Sequence, residues 1–184
     1  DDDDFDMASF IRHIEFPMTE TPSSLTYSSV VSRNSMRIAL LIAALNDLNV
    51  MACDIQNAYL TAPCREKICT IAGPEFGSEA GTTMIIVRAL YGLKSSGAAF
   101  RSFLAETLND IGFKPSLADP DVWMQPAMKA NGFKYWELIL CYVDDLLCIH
   151  EDPTIALKQI QNSNFKLKDD KIEEPASYLG ADLS

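Results

Sequence analysis

Two adjacent carboxylates, Asp144 and Asp145, interrupt an apolar stretch that runs from Leu138 to Val143 and resumes from Leu146 to Ile149. Apolar runs broken by a polar pair read as the two strands of a hairpin, with the pair at its turn. That placement has an electrostatic consequence. Two ionised carboxylates about 4 Å apart repel by roughly 4 kcal/mol at a surface-like dielectric, and a divalent cation between them removes the repulsion. Aspartate is also a common turn residue whose carboxylate needs only water. A third acid elsewhere in the chain separates the two readings.

Asp54 is that acid. It ends the apolar run Val50-Met51-Ala52-Cys53, which reads as a buried strand, and Ile55-Gln56-Asn57-Ala58-Tyr59 leaves the strand through a tight turn. Asp at a strand end also serves as a plain turn cap, so the position alone decides nothing. A further segment, Leu90 to Phe100, carries Gly92, Lys94 and small residues into a helix, a composition that lets backbone approach a ligand closely.

The periodicity predicts a helix over Ser35 to Leu48 with Ile38, Leu41, Ile42, Leu45 and Leu48 on its buried face, then a strand Asn49 to Asp54. Strands follow at Lys67 to Ala72 and Thr83 to Arg88, joined by a Gly/Pro/Glu-rich loop. A second helix runs from Ser96 or Gly97 to Ile111 and stops at Gly112. Asp121 to Gln125 and Phe133 to Val143 read as strands about the hairpin dipeptide Asn131-Gly132. A helix from Pro153 to Ser163, with Asp152 as its N-cap, and a short strand Phe165 to Lys168 close the series. The order predicts the α+β class, an antiparallel sheet backed by helices, on whose solvated face Asp54, Asp144 and Asp145 converge.

A chain of 184 residues, 48% apolar, can bury one substantial core. No apolar run reaches some 18 residues, so no membrane span is expected, and no secretory signal is evident. Cysteines 53, 64, 69, 141 and 148 form no Cys-x-x-Cys pair and have two histidines beside them, which disfavours a zinc site or disulfide framework. The net charge is −11, and five of the 26 acidic residues lie in Asp1 to Asp6, a run expected to be solvated and disordered. Acidic residues still exceed basic ones from Met7 onward, which opposes tight binding of a polyanion.

Four motifs together resemble the reverse transcriptase domain of copia-like LTR retrotransposons, the pseudovirus class. They are Asp54 with Ala58-Tyr59, Leu90-Tyr91-Gly92-Leu93-Lys94, Tyr142-Val143-Asp144-Asp145, and Tyr178-Leu179-Gly180. The likeness runs from about Thr26 to Leu183. It implies a polymerase palm with a partial fingers region over residues 26–184, preceded by an acidic segment and fingers remnant in 1–25. It also implies RNA-directed DNA synthesis using two magnesium ions, with manganese as a substitute. Asp54, Asp144 and Asp145 would be catalytic, and with the backbone of Ile55 would hold the ions. Gln56, Asn57, Ala58, Tyr59, Tyr91 and Gly92 would contact the nucleotide, with Tyr59 excluding a 2′-hydroxyl. Lys94, Tyr142, Leu179 and Gly180 would meet template and primer. The implied partners are an RNA or DNA template with its primer, deoxynucleoside triphosphates, and the integrase, ribonuclease H and protease of one polyprotein. The implied location is intracellular, in cytoplasmic particles and the nucleus.

Two departures bear on activity. The upstream region offers only Arg12 and His13 where the family has a basic segment, with Ser29 in place of a proline in the stretch Thr26 to Val31, and the thumb and ribonuclease H domain that follow in the family, like the protease and integrase that precede, are expected to lie outside this sequence. The chain is therefore expected to be a fragment, with a catalytically inactive remnant or nucleic-acid-binding piece as the alternative. A metal-dependent nuclease would also use clustered acids, but has no need of Tyr59 or of Leu90 to Lys94.

Overall fold

The computed structural model describes residues 26–163, 165–178 and 181–182. The acidic run, Arg12 and His13 lie outside the described residues, as do Leu179 and Gly180. The chain divides into two compact units, one containing Tyr59–Phe100 and the other Ser28–Ala58 and Arg101–Ser184.

The larger unit is built on five antiparallel strands: β1 (Asn49–Asp54), β4 (Lys114–Pro115), β5 (Val122–Met128), β6 (Lys134–Tyr142) and β7 (Asp145–His150), in the order β1-β7-β6-β5-β4. Its central strands are apolar at consecutive positions because both faces are covered. On one face Leu138, Leu140, Leu147 and Ile149 form a cluster with Met36, Ala39 and Ala43 of helix α1 (Arg33–Leu45) and with Tyr178. On the other, Ile139, Leu146 and Cys148 are equally buried. Each fully buried Leu or Ile contributes roughly 2 kcal/mol by removing its surface from water.

Helix α1 corrects the expectation for this segment. It begins at Arg33 because the Ser32 hydroxyl accepts the Ser35 amide at 3.1 Å, and it ends at Leu45. It buries Met36, Ala39 and Ala43, while Ile38, Leu41 and Leu45 are 59%, 58% and 76% exposed. Alanines four residues apart lie one above the other on a helix and let its axis come close to a sheet already filled with Leu and Ile. Of the expected face only Leu48 joins the buried cluster, with Ile42 packed partly against it.

The start of α1 is tied to the loop before β5 by a buried carboxylate. Asp119 accepts hydrogen bonds from the Ser32 amide (3.0 Å), the Ser35 hydroxyl (2.6 Å) and the Asp121 amide (3.1 Å). Burial pushes its pKa up, but the bonds from Ser35, Ser32 and Asp121 outweigh that and hold it below the ordinary value. A depressed carboxylate stabilises the fold above its unfolded pKa and ceases to do so as pH falls through the folded value. Asp119→Asn is expected to lower stability at neutral pH by about 1–2 kcal/mol. The deficit should shrink on acidification, as urea denaturation across the acid range would register.

The remaining elements fall close to their expected places. Asn131-Gly132 lies in the β5-β6 turn, with Gly132 at φ +85° and the Asn131 carboxamide accepting the Phe133 amide at 3.0 Å. Helix α3 (Ser96–Asp110) ends before Gly112, and helix α4 (Thr154–Asn162) starts one residue later than expected, with Asp152 still accepting the Thr154 amide at 3.1 Å. The smaller unit pairs β2 (Cys69–Ile71) with β3 (Thr83–Ile85), both shorter than expected. A single helical turn, α2 (Ala58–Thr61), contributes Leu60 to a small core there with Ile86, Leu90 and Leu93. Strands β8 (Ser177–Tyr178) and β9 (Ala181–Asp182) pair at the end of the chain.

Candidate active site

The hairpin between β6 and β7 turns in two residues, since Tyr142 is paired with Asp145 across Val143 and Asp144. Val143 has φ +56°, a region that a two-residue hairpin turn of this hand ordinarily reserves for glycine. For a β-branched residue that conformation is strained by about 1–3 kcal/mol, and it persists only where the surrounding pairing over-determines it. Here β6 and β7 supply that pairing on both sides of the turn.

On the other side of β7 lies β1, and the register sets Asp54 directly opposite Asp145. Residues opposite one another on antiparallel strands share a face. Tyr142, Asp145 and Asp54 therefore form one row across three strands. Asp144 is fixed beside this row by its carbonyl, which accepts the Ile55 amide at 2.9 Å. Acids separated by some ninety residues of sequence thus meet at one end of the sheet.

The electrostatics record the crowding. Asp145 is pushed above the ordinary carboxylate value by burial, then by Asp144 and Asp54, with Lys168 pulling the other way. Beneath the row, burial and then Asp54 and Asp145 push the Cys53 thiol up to about 12, so Cys53 is an inert apolar side chain. The same holds for Cys141 and Cys148, on β6 and β7 and not directly opposite one another. The Tyr178 hydroxyl donates to the Asp145 carbonyl at 3.3 Å.

Lys168 is a site residue that sequence reading missed. Its ammonium lies 3.3 Å from Asp54 Oδ2, and the hydrogen bond and charge of Asp54 raise its pKa. Phe165 to Lys168, expected as a last strand, instead makes one bridge, Leu167 with Ile55, and then a kinked turn Lys168–Asp170 with Asp169 and Asp170 at positive φ. Two successive left-handed residues cannot continue a ladder. The only hint in the sequence is a lysine beside two aspartates.

The residues fit a divalent ion by their chemistry: carboxylate oxygens from two adjacent strands and the turn beside them, with mutual repulsion that a cation relieves and an ammonium already drawn to one of them. As they stand, no group of three or more His, Cys, Asp or Glu among the described residues is gathered closely enough to hold one.

The other candidates distribute as follows. The Gln56 amide donates to the Lys166 carbonyl at 2.8 Å, Asn57 turns the chain at φ +52°, and Ala58 is buried. In the smaller unit the Tyr59 ring lies 4.7 Å from that of Tyr91 and 6.1 Å from that of Phe100. Gly92 adopts φ +97°, and Lys94 is exposed.

Residues 19–184 match the family described as reverse transcriptase (RNA-dependent DNA polymerase). The chain belongs to that family. It is 29% identical over 159 residues to the retrovirus-related Pol polyprotein from transposon RE1 of Arabidopsis thaliana, covering 84% of this chain and 10% of the relative. It is 28% identical over 148 residues to the corresponding polyprotein from transposon TNT 1-94 of Nicotiana tabacum, covering 78% and 11%. With that from transposon RE2 of Arabidopsis thaliana the figures are 27% over 135 residues, 72% and 9%. This reverse transcriptase chain spans about a tenth of the length of the curated relatives it matches. No helix among its described residues is long and apolar enough to cross a membrane.

Proposed function

We propose that this chain is the polymerising core of an RNA-directed DNA polymerase from a transposon polyprotein, transferring a deoxynucleotide to a primer 3′-hydroxyl with release of pyrophosphate. The observation that carries the reading is the register of Asp54 against Asp145, with Asp144 bonded beside them. In it, Asp54 and Asp144 are the principal ligands of two magnesium ions, Asp145 is the adjacent acid, and the Ile55 carbonyl is a further oxygen donor. Magnesium, when bound, lowers the pKa of the attacking hydroxyl and neutralises charge on the departing pyrophosphate. The protein contributes alignment. The five-stranded sheet with α1, α3 and α4 serves as the palm, with a partial fingers region elsewhere in residues 26–184.

In this reading Gln56, Asn57 and Ala58, and in the smaller unit Tyr91 and Gly92, are nucleotide-contacting residues, and Gly92 at positive φ lets backbone come close to a ligand without a Cβ in the way. Lys94, Tyr142, Leu179 and Gly180 meet template and primer. Tyr59, its ring tilted at 41° against that of Tyr91, occupies the space of a 2′-hydroxyl. Tyr59→Val in the intact polyprotein is expected to retain part of its DNA synthesis while ribonucleotide incorporation rises about tenfold or more, an effect of only about 1.4 kcal/mol. Primer extension with matched ribo- and deoxynucleotides measures it, and unchanged sugar discrimination removes the gate from the scheme.

The partners that complete the machine are a primed RNA or DNA template and the rest of the polyprotein, including integrase, ribonuclease H and protease functions. A net charge of −11 favours a second reading, in which this copy is an inactive remnant. Magnesium-dependent primer extension by the complete open reading frame decides between them. Incorporation abolished by Asp144→Asn supports the polymerase; a folded, full-length product that incorporates nothing supports the remnant.

A further inference from the structure

After α4 the chain doubles back past β1 and is anchored twice, once to the Ile55-Gln56 step that follows β1 and once to β1 itself. At the first anchor Phe165 and Leu167 are buried, Leu167 bridges Ile55, and the Lys166 carbonyl accepts the Gln56 amide at 2.8 Å. At the second, Glu173 and Ala52 exchange both backbone hydrogen bonds, at 2.8 and 3.1 Å. Between the anchors the kinked turn Lys168–Asp170 bulges over a cleft of about 640 Å³ whose lining includes Asp54, Asp145 and Lys168. The turn leaves Lys168 at the strand end, with its ammonium on Asp54 Oδ2 at 3.3 Å.

We propose that Lys168 is a tethered cation that holds Asp54 until a divalent ion displaces it, so that this side chain sets the threshold for metal binding at the row of acids. The inference rests on the reading of Asp54 as a metal ligand. A carboxylate oxygen that points at an ammonium 3.3 Å away is turned from a shared ion, whose oxygen ligands sit at about 2.1 Å for magnesium. The tether is made to be released. Lys168 is 62% exposed on a long flexible stem, and exposed ion pairs are weak, so a doubly charged ion outcompetes it without disturbing either anchor.

Manganese alone is the probe, titrated into the 184-residue chain and followed by the electron paramagnetic resonance of the free ion. Lys168→Met is expected to tighten binding about three- to fivefold, the size expected for loss of a weak exposed competitor. Lys114→Met, on β4 at the opposite edge of the sheet, removes the same charge and is expected to change binding by less than about 1.5-fold, since charge at that range is screened. Equal affinities in wild type and Lys168→Met, or equal gains in both variants, overturn the proposal. Asp54→Asn separates this from the reading beneath it. If Asp54→Asn weakens manganese binding and also abolishes the gain from Lys168→Met, both stand. If binding is absent, or indifferent to Asp54, the metal reading itself falls, and the tether with it.

Discussion

On the proposed polymerase reading, Asp144→Asn in the complete open reading frame is expected to reduce deoxynucleotide incorporation by at least about a hundredfold, with Asp54→Asn close behind. The substitution keeps the shape of the side chain and removes the charge that an ion needs. Asp144 occupies the second position of a two-residue turn whose backbone is held from β1 by the Ile55 amide at 2.9 Å. The variant should therefore fold as the parent does, and its loss should appear in the rate constant for incorporation and in the metal requirement. Single-turnover extension across a magnesium titration measures both. Retention of more than about a tenth of the parent rate by Asp144→Asn contradicts the assignment of Asp144 as a principal ligand.

Arg101→Met is expected to destabilise the chain by about 2–3 kcal/mol, somewhat less than the loss typical of a fully buried pair because the arginine is partly exposed. Arg101 on α3 meets Asp121 Oδ1 at 2.8 Å; the arginine side chain is 31% exposed and the aspartate 3%. The second oxygen, Oδ2, is buried and meets no donor among the described residues, so Arg101 is the chief compensation for this charge. Removing it leaves an uncompensated carboxylate in the core. The consequence reaches the site, because the Asp121 carbonyl accepts the Cys141 amide at 2.9 Å, one residue before the Tyr142 that enters the turn. Chemical denaturation of Arg101→Met and of the double variant Arg101→Met/Asp121→Asn checks the argument. The double variant should recover most of the loss, since it no longer buries an unpaired charge.

These expectations draw unequally on sequence and structure. The β6-β7 hairpin, the strand ending at Asp54 and the helices were legible in the chain because each depends on local chemistry: apolar runs, glycines after helices, a serine or aspartate before them. The four motifs were enough to place the chain in its family. Helix α1 shows where local pattern stops. Two stripes of apolar residues compete on it, and the sheet chose the one with alanines because a close approach buries more surface than exposing Ile38, Leu41 and Leu45 loses.

The site divides in the same way. Asp54, Asp144 and Asp145 could be named from their motifs, but their meeting is a matter of strand register, and a slip of one residue would have sent Asp54 to the opposite face. Lys168 could not be named at all. Its place depends on a segment that bridges β1 at Leu167 and again at Glu173 and kinks between them, an arrangement with no periodic signature. The sequence by itself determined which groups could bind a cation, since that is a property of carboxylates and their neighbours in the chain. Which of them share a face, and which already holds a lysine, was decided by the tertiary structure, because register and long-range pairing are set by the burial of the whole sheet.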